Sequence, residues 1–335
     1  MIHSRRAERP GRRALDGVRE LPSEPLFVRP DLKEIGWSAS ATTRAARSGR
    51  ISAVRQGVFS AAPTGDPALL AIAAAMACEG SVISHRSAAL IDDIALLHQP
   101  PLRPDLTVPP YGTGDVLGAL LHRATLPPED VRDRDGFRIT VPARTVVDVA
   151  RSVSVGAGVV TMDSALNQKL ATAEEIEEVL VRCARWPGIR NARDAFKLTD
   201  ANADSALETV SRLVIARLRL PAPKTQAIIL DQYGRAIGEC DFYWPEFGVF
   251  GEADGREKYL RPEREPGWNP LYREKLRQED LEDVGLTGLR WGWTDVRYRQ
   301  SDLRRRILNA FDRGQRRDAL GLPRAWSVAY RDQQR

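Results

Sequence analysis

Four carboxylates bracket one short turn in the last third of the chain. Glu239 and Asp241 lie in IGECDFYW, Glu252 and Asp254 in GVFGEAD, and Pro245-Glu246-Phe247-Gly248 separates the two runs. If those four residues form the turn, Trp244 opposes Val249, Tyr243 opposes Phe250 and Phe242 opposes Gly251. Asp241 then opposes Glu252, and Glu239 opposes Asp254. Side chains alternate along strands, so the register predicts all four carboxylates on one face. Like charges directly across a sheet are destabilising. A hard divalent cation removes the conflict, because Mg²⁺ or Mn²⁺ takes oxygen ligands from one or two carboxylates plus water or phosphate. The plain alternative is a solvated acidic face, where repulsion is weak. The opposite face, Cys240, Phe242, Trp244, Val249, Gly251 and Ala253, is apolar and small enough to pack. Helical segments flank the strands in sequence, so both faces are expected to be covered.

The elements that position these groups are legible. SALETVSRLVIARLRL has Leu207, Val210, Val214 and Leu218 at helical spacing and ends at Pro221 and Pro223. KTQAIILD reads as a strand turning at Tyr233-Gly234. Glu208 on the helix could join the acidic group. Ser205-x-x-Glu208 is also a capping box, which explains the glutamate structurally.

A second kind of chemistry sits near the N-terminus. LFVRPDLKEIG reads as a short helix stopping at Gly36; Ser38 caps a second helix, SASATTRAARS, closed at Gly49; and RISAVRQGVFS gives two short strands turning at Gln56-Gly57. Helix, turn, helix and hairpin is the winged helix-turn-helix order. The second helix places Ser40, Thr43, Arg44 and Arg47 on one side, where the arginines could reach bases or phosphates of double-stranded DNA. Arg50 and Arg55 on the wing could clamp the backbone. The alternative is a merely polar exposed helix.

Basic charge is unevenly placed. Six arginines fall in the first 19 residues, and Arg304, Arg305 and Arg306 cluster near the end, within a net charge of +5. Such surfaces attract polyanions. In the middle region, PALLAIAAAMACEG reads as a helix, and SVISHRSAALIDDIALL as another capped by Ser84. His85 beside Ser84 and Ser87 invites a hydrolase reading, but no Gly-x-Ser-x-Gly elbow accompanies it, and a capping serine with a packed histidine explains the stretch. DLTVPP and GFRITVPARTVVDVAR run strand into turn, the latter continuing as a helix on which Arg144 and Asp148 suit an ion pair. Helices follow around 161–170, 173–185 and 190–198.

Composition, 42% hydrophobic and 28% charged over 335 residues, is that of a globular multidomain protein. No run of about 18 apolar residues occurs, so no spanning helix and no membrane partner are expected. The start lacks the apolar region of a secretory signal, and three scattered cysteines form no zinc spacing; both suit a cytoplasmic protein. The expected organisation is a disordered basic arm (1–24), a winged helix-turn-helix (25–62), a mixed middle domain (63–200), an α/β domain (201–313) and a basic C-terminal tail (314–335).

Glu208, Asp241 and Glu252 with a nearby lysine resemble the PD-(D/E)XK restriction-endonuclease-like superfamily. GEADGREKY and YREKLRQEDLEDVGLTGLRWGW resemble an actinobacterial group related to very-short-patch repair endonucleases, over about 203–312. RQGVFS, SHRSAAL and TVPARTVVDVAR resemble AbiEi-type antitoxins of type IV toxin–antitoxin systems, over about 25–200. The resemblance implies an α+β and α/β multidomain chain ending in an αβββαβ restriction-endonuclease-like core. It implies Mg²⁺- or Mn²⁺-dependent phosphodiester hydrolysis, with Asp241 and Glu252 as metal ligands, Asp254 beside them, Glu208 contributing and a lysine assisting. The superfamily places that lysine two residues after the strand glutamate, where this chain has Asp254. Lys258 is the replacement candidate and Lys275 the second. The expectation for the whole chain is a DNA-binding, antitoxin-like regulator with a cognate toxin partner. An active endonuclease targeted by its winged helix is the alternative, and a pure protein-interaction module the third reading.

Overall fold

The computed structural model describes residues 21–22, 24–100, 103–111, 118–254, 270–320 and 326–330. Most of the expected basic arm, and Lys258, lie outside the described residues. No described helix is long and apolar enough to cross a membrane. The chain has mixed α/β character and divides into two compact units, 1–87 with 101–139, and 88–100 with 140–335. This division differs from the expected boundaries. The middle region is shared: its sheet belongs to the first unit, while its helices continue into the C-terminal α/β part.

In the first unit, β1 (Phe27–Val28), α1 (Arg29–Glu34), α2 (Ala39–Arg47), β2 (Ser52–Arg55) and β3 (Val58–Ser60) come first. The sheet order is β1-β3-β2. The sequence reading gave LFV to a helix. Instead Phe27 and Val28 pair antiparallel with Phe59 and Val58, because these residues are more useful as a third strand over a small core. That core holds Phe27, Leu32, Trp37, Ala45, Ile51 and Phe59. Ser38 caps α2 by accepting from the Ala41 N–H at 3.1 Å, and Gly49 takes the left-handed conformation (φ +74°) that ends the helix.

Then follow α3 (Pro67–Met76), β4 (Val82–Ile83), α4 (His85–Ile91), β5 (Asp105–Val108), β6 (Leu120–Arg123), β7 (Val131–Arg134) and β8 (Phe137–Thr140). Their five strands are ordered β6-β5-β4-β8-β7. The stretch expected as one helix capped by Ser84 therefore opens with a strand. Val82 and Ile83 pair with Thr107 and Leu106.

The second unit starts with α5 (Pro142–Ser152), α6 (Val155–Asn167), α7 (Ala173–Arg182) and α8 (Ile189–Phe196). They close on a core that includes Val146, Val149, Val159, Met162, Ile176, and Ala192. The expected Arg144–Asp148 ion pair is present and buried, at 2.8 Å. The chain continues with α9 (Ala206–Arg217), β9 (Lys224–Asp231), β10 (Ala236–Trp244), β11 (Val249–Ala253), α10 (Pro270–Asp283), β12 (Thr287–Trp291), α11 (Trp293–Tyr298), α12 (Gln300–Ala319) and β13 (Trp326–Tyr330). The sheet is ordered β12-β11-β10-β9-β13, with β12 parallel to β11 and the other neighbours antiparallel. The segment 314–335, expected as a tail, carries the end of α12 and an edge strand, β13. Val328 and Tyr330 pack on the apolar cluster around Ile229 and Tyr243, and this packing outweighs the flanking basic residues.

Candidate functional site

The hairpin register follows the sequence reading: Trp244 pairs with Val249, Tyr243 with Phe250 and Phe242 with Gly251. Asp241 and Glu252 follow immediately, and the Ala253 N–H donates to Asp241 Oδ2 at 2.7 Å. Both carboxylates are buried. The expectation of four carboxylates on one regular face does not hold. Phe242 and Trp244 pack with Val249 and Ala253 against α9 and α12, whereas Cys240 joins Tyr243 and Phe250 on the α10 side. Strict alternation therefore breaks at Asp241. On the neighbouring strand Cys240 pairs with Ala227 and Phe242 with Thr225, so Gln226 lies opposite Asp241, with φ at +50°. The ladder itself stays in register here, so the left-handed turn at Gln226 re-aims side chains without a bulge.

Each carboxylate meets donors of the protein itself. Glu208, buried on α9, accepts from Ser205 Oγ at 2.7 Å through Oε1, and from the Asp204 N–H (2.9 Å) and Gln226 Nε2 (2.7 Å) through Oε2. Burial, then the nearby charge of Asp241, pushes its pKa up to about 7. Ser205 caps α9 by accepting from the Glu208 N–H at 3.2 Å, as its spacing suggested, while the Glu208 carboxylate takes the Asp204 N–H in place of the Ser205 N–H that a capping box uses. Glu252 Oε1 receives Arg277 Nη2 at 2.9 Å, and Arg277 Nη1 donates to the Glu239 carbonyl at 2.7 Å. Asp254, half-buried just past β11, faces Arg290 at 3.8 Å. Lys275 is exposed and 3.6 Å from Glu279.

Asp241 and Glu252 are hard oxygen donors, the residues here that could hold a divalent cation, which would take one or two carboxylates and fill its shell with water or phosphate. Among the described residues no three His, Cys, Asp or Glu groups converge as a preformed metal cluster. Arg277 and Gln226 escaped the sequence reading. The arginine lies 25 residues from its partner, and Gly238 leaves room for it, since an added Cβ there would stand 2.9 Å from the Arg277 stem.

On α2, Ser40, Thr43, Arg44 and Arg47 are all exposed, while Thr42 and Ala45 face inward. Arg44 and Arg47 make no ion pair among the described residues. Thr43 bonds back to the Ala39 carbonyl at 3.0 Å, and Ser40 Oγ is 3.0 Å from Ser38 Oγ, so these hydroxyls are engaged locally. Arg50 is exposed and lies over the Trp37 ring at 5.1 Å. Arg55 differs from the expected clamp: it is half-buried, and an added Cβ on Gly118 would meet Arg55 Nη1 at 3.1 Å.

The Ser84–His85 stretch forms a buried polar network. Thr107 Oγ1 donates to Ser84 Oγ (2.8 Å), which is 2.9 Å from His85 Nδ1. His85 stacks on His122 with centroids 3.6 Å apart, and His122 Nε2 is 2.8 Å from Asp105 Oδ1. A serine–histidine–carboxylate relay needs one imidazole to bridge the other two groups. Here two imidazoles divide the roles and Ser84 is fully buried, so the arrangement is structural. Ser84 bonds His85 and Thr107 through its hydroxyl, which departs from its expected role as a helix cap.

Residues 87–198 match the model of the family described as the AbiEi antitoxin C-terminal domain. Two curated relatives share 31% identity over 178 residues: the uncharacterized proteins Rv2248 (strain H37Rv) and MT2308 (strain CDC 1551 / Oshkosh) of Mycobacterium tuberculosis. The alignment covers 53% of this chain and 63% of each relative, so the chain spans under two thirds of the proteins it matches. The crystal structure of the RV2827C protein from Mycobacterium tuberculosis aligns with 56% of this chain and 75% of that chain, at 14% identity and a TM-score of 0.37. That score is too low to support any structural argument.

Proposed function

We propose that this protein is a DNA-binding, antitoxin-like regulator that contacts double-stranded DNA through α2 and pairs with a cognate toxin protein. The observation that carries the reading is the AbiEi antitoxin match over 87–198, downstream of two helices and a hairpin. The exposed, unpaired Arg44 and Arg47 support it: α2 plays the part of a recognition helix, and β2 and β3 that of a wing. Gel shifts at fixed salt test it. Replacing both Arg44 and Arg47 by alanine should weaken specific binding by about 1–3 kcal/mol for each base-reading arginine. Wild-type affinity in the double variant removes α2 from the interface.

A second reading is favoured by one specific observation, the burial of Asp241 and Glu252 on the β10–β11 hairpin and of Glu208 on α9, close enough to feel the Asp241 charge. In it residues 201–313 form a restriction-endonuclease-like domain. Mg²⁺ or Mn²⁺ on Asp241 and Glu252 would activate water and neutralise charge on a phosphodiester. Arg277 then orients Glu252, and Gln226 with Ser205 fixes Glu208. Plasmid cleavage with and without metal decides the point: activity abolished by Asp241→Asn and by Glu252→Gln favours the endonuclease. No cleavage under any divalent cation leaves the regulator reading alone.

A further inference from the structure

The Arg304–Arg306 cluster belongs to a larger basic surface on α11 and α12. Between 293 and 317 the chain has eight arginines (297, 299, 304, 305, 306, 313, 316 and 317), three aspartates (295, 302 and 312) and no lysine or glutamate. The difference, 8 − 3 = +5, equals the formal net charge of the whole chain.

Two of these arginines serve the fold. Arg306 lies 3.3 Å from Asp295 and also donates to the Arg290 carbonyl, and Arg317 packs against Gly285. The others look outward. Arg305 has a surface pairing with Asp302 at 2.8 Å, which exposed geometry makes weak. Arg299, Arg304, Arg313 and Arg316 are exposed and make no ion pair among the described residues. Arg297 lies over the Trp293 ring at 4.5 Å, and Tyr298 beside it is 80% exposed. The inward side of α12 is fixed by Leu303, Ile307, Ala310, Phe311 and Gly314. Its outward side presents Arg305, Asn309, Arg313 and Arg316 at spacings of four, four and three residues. At 1.5 Å per residue that row is about 16 Å long.

We infer that the outward face of α11 and α12 is a second docking surface for duplex DNA, one that grips the phosphate backbone and does not read bases. It adds to the DNA-binding reading proposed above and rests on it. Every cation of the row is a guanidinium, whose planar fork matches phosphate oxygens bidentately where an ammonium offers a point charge. An exposed row of such groups, of which Arg305 alone has a surface ion pair, matches a polymer carrying one negative charge per about 1.7 Å of axis. The surface is built only from residues of the second unit, so it contributes independently of α2.

The test uses the full chain and a labelled DNA duplex, with affinity measured across a salt series. Arg305→Ala/Arg313→Ala/Arg316→Ala should reduce the slope of log K against log salt by about 2.7, since each lost phosphate contact removes about 0.9. Affinity should fall at least about tenfold near 0.1 M salt, equally on matched and scrambled sequences. The variant with lysine at the same three positions, which keeps the charge, should retain most of the slope and controls for folding. An unchanged slope in the alanine variant, with Arg44→Ala/Arg47→Ala still weakening binding, overturns this surface and leaves the α2 reading standing. Wild-type protein that binds no duplex at low salt ends both. A loss confined to single-stranded DNA or RNA overturns the duplex assignment.

Discussion

Arg277 on α10 closes on Glu252 of β11, with Nη2 2.9 Å from Oε1 and its second nitrogen on the Glu239 carbonyl. The glutamate is buried and the arginine mostly so, and Gly238 leaves room for the arginine stem. Breaking a buried pair by removing one partner leaves an uncompensated charge. Because the Arg277 side chain keeps 21% of its exposure, the cost should be somewhat below the usual range, about 2–4 kcal/mol for Arg277→Met. Urea unfolding measures it. A wild-type midpoint would show the ion pair to be energetically idle.

The same contact bears on metal binding. A cation approaching Asp241 and Glu252 must share Glu252 with Arg277 or displace it. A ligand that binds only the folded state stabilises it according to its concentration over Kd. Millimolar Mg²⁺ or Mn²⁺ is therefore expected to raise the Tm of the wild type more than that of Asp241→Asn, and that of Arg277→Met most of all. In a cleaving protein, Lys258→Ala should be the stronger lysine change and Lys275→Ala the milder, since Lys275 is exposed and near Glu279. Superimposable melting curves for all variants with and without metal would mean that no divalent cation uses these carboxylates.

Gly188 is the tightest backbone position among the described glycines of residues 87–198. Its φ is +77°, and an added Cβ would stand 2.0 Å from the Arg151 carbonyl oxygen. The obstructing atom is backbone, not the far end of a flexible side chain, and charged and aromatic groups pack around it. Arg144 and Arg151 each bond Asp148 at 2.8 Å, and both guanidinium groups lie over the Trp186 ring. Gly188→Ala combines left-handed strain of about 1–2 kcal/mol with that collision, so a loss of more than about 2 kcal/mol is expected. Thermal or urea unfolding checks it. A loss below about 0.5 kcal/mol would show that the turn between α7 and α8 relaxes freely.

Local signals made much of this fold legible, and long-range ones did not. Ser38, Gly49, Pro221 and the Pro245–Gly248 turn each fix a boundary within a few residues of themselves, and the hairpin register followed from counting outward from that turn. Strand β1 was missed because Phe27 and Val28 gain their pairing from Phe59 and Val58, about thirty residues on. Strand β13 was missed for the same reason, being defined by its ladder with Ala227 to Asp231. At the acidic hairpin the residue types were readable, but strict alternation failed where Gln226 turns to φ +50° opposite Asp241. Arg277 could not be read at all, since no periodicity links a helix residue to a carboxylate on another element.

Asp163 on α6 gives the chain a pH dependence of defined sign. Its carboxylate accepts from the Asp200 N–H, Thr209 Oγ1 and Arg212 Nη2, all at 2.8–2.9 Å. Burial nevertheless dominates and raises its pKa from 3.8 to about 6, against the lowering effect of those partners. In the unfolded chain the group ionises near its ordinary value. Between about pH 4 and pH 6 the folded state therefore holds the proton that the unfolded state has lost, and stability falls as pH rises through that window. Two pKa units correspond to about 3 kcal/mol, an order-of-magnitude figure for a group with charged and polar partners. Asp163→Asn removes the titration. It also places an amide donor among three donors, so the variant should be less stable than wild type at pH 4. The test is the stability difference between wild type and variant, from urea unfolding at pH 4, 5, 6 and 7. The wild-type advantage should shrink steadily from pH 4 to pH 6 and then level off. A difference that stays constant, or grows with pH as it would for a carboxylate with a depressed pKa, would show that Arg212 outweighs burial at this site.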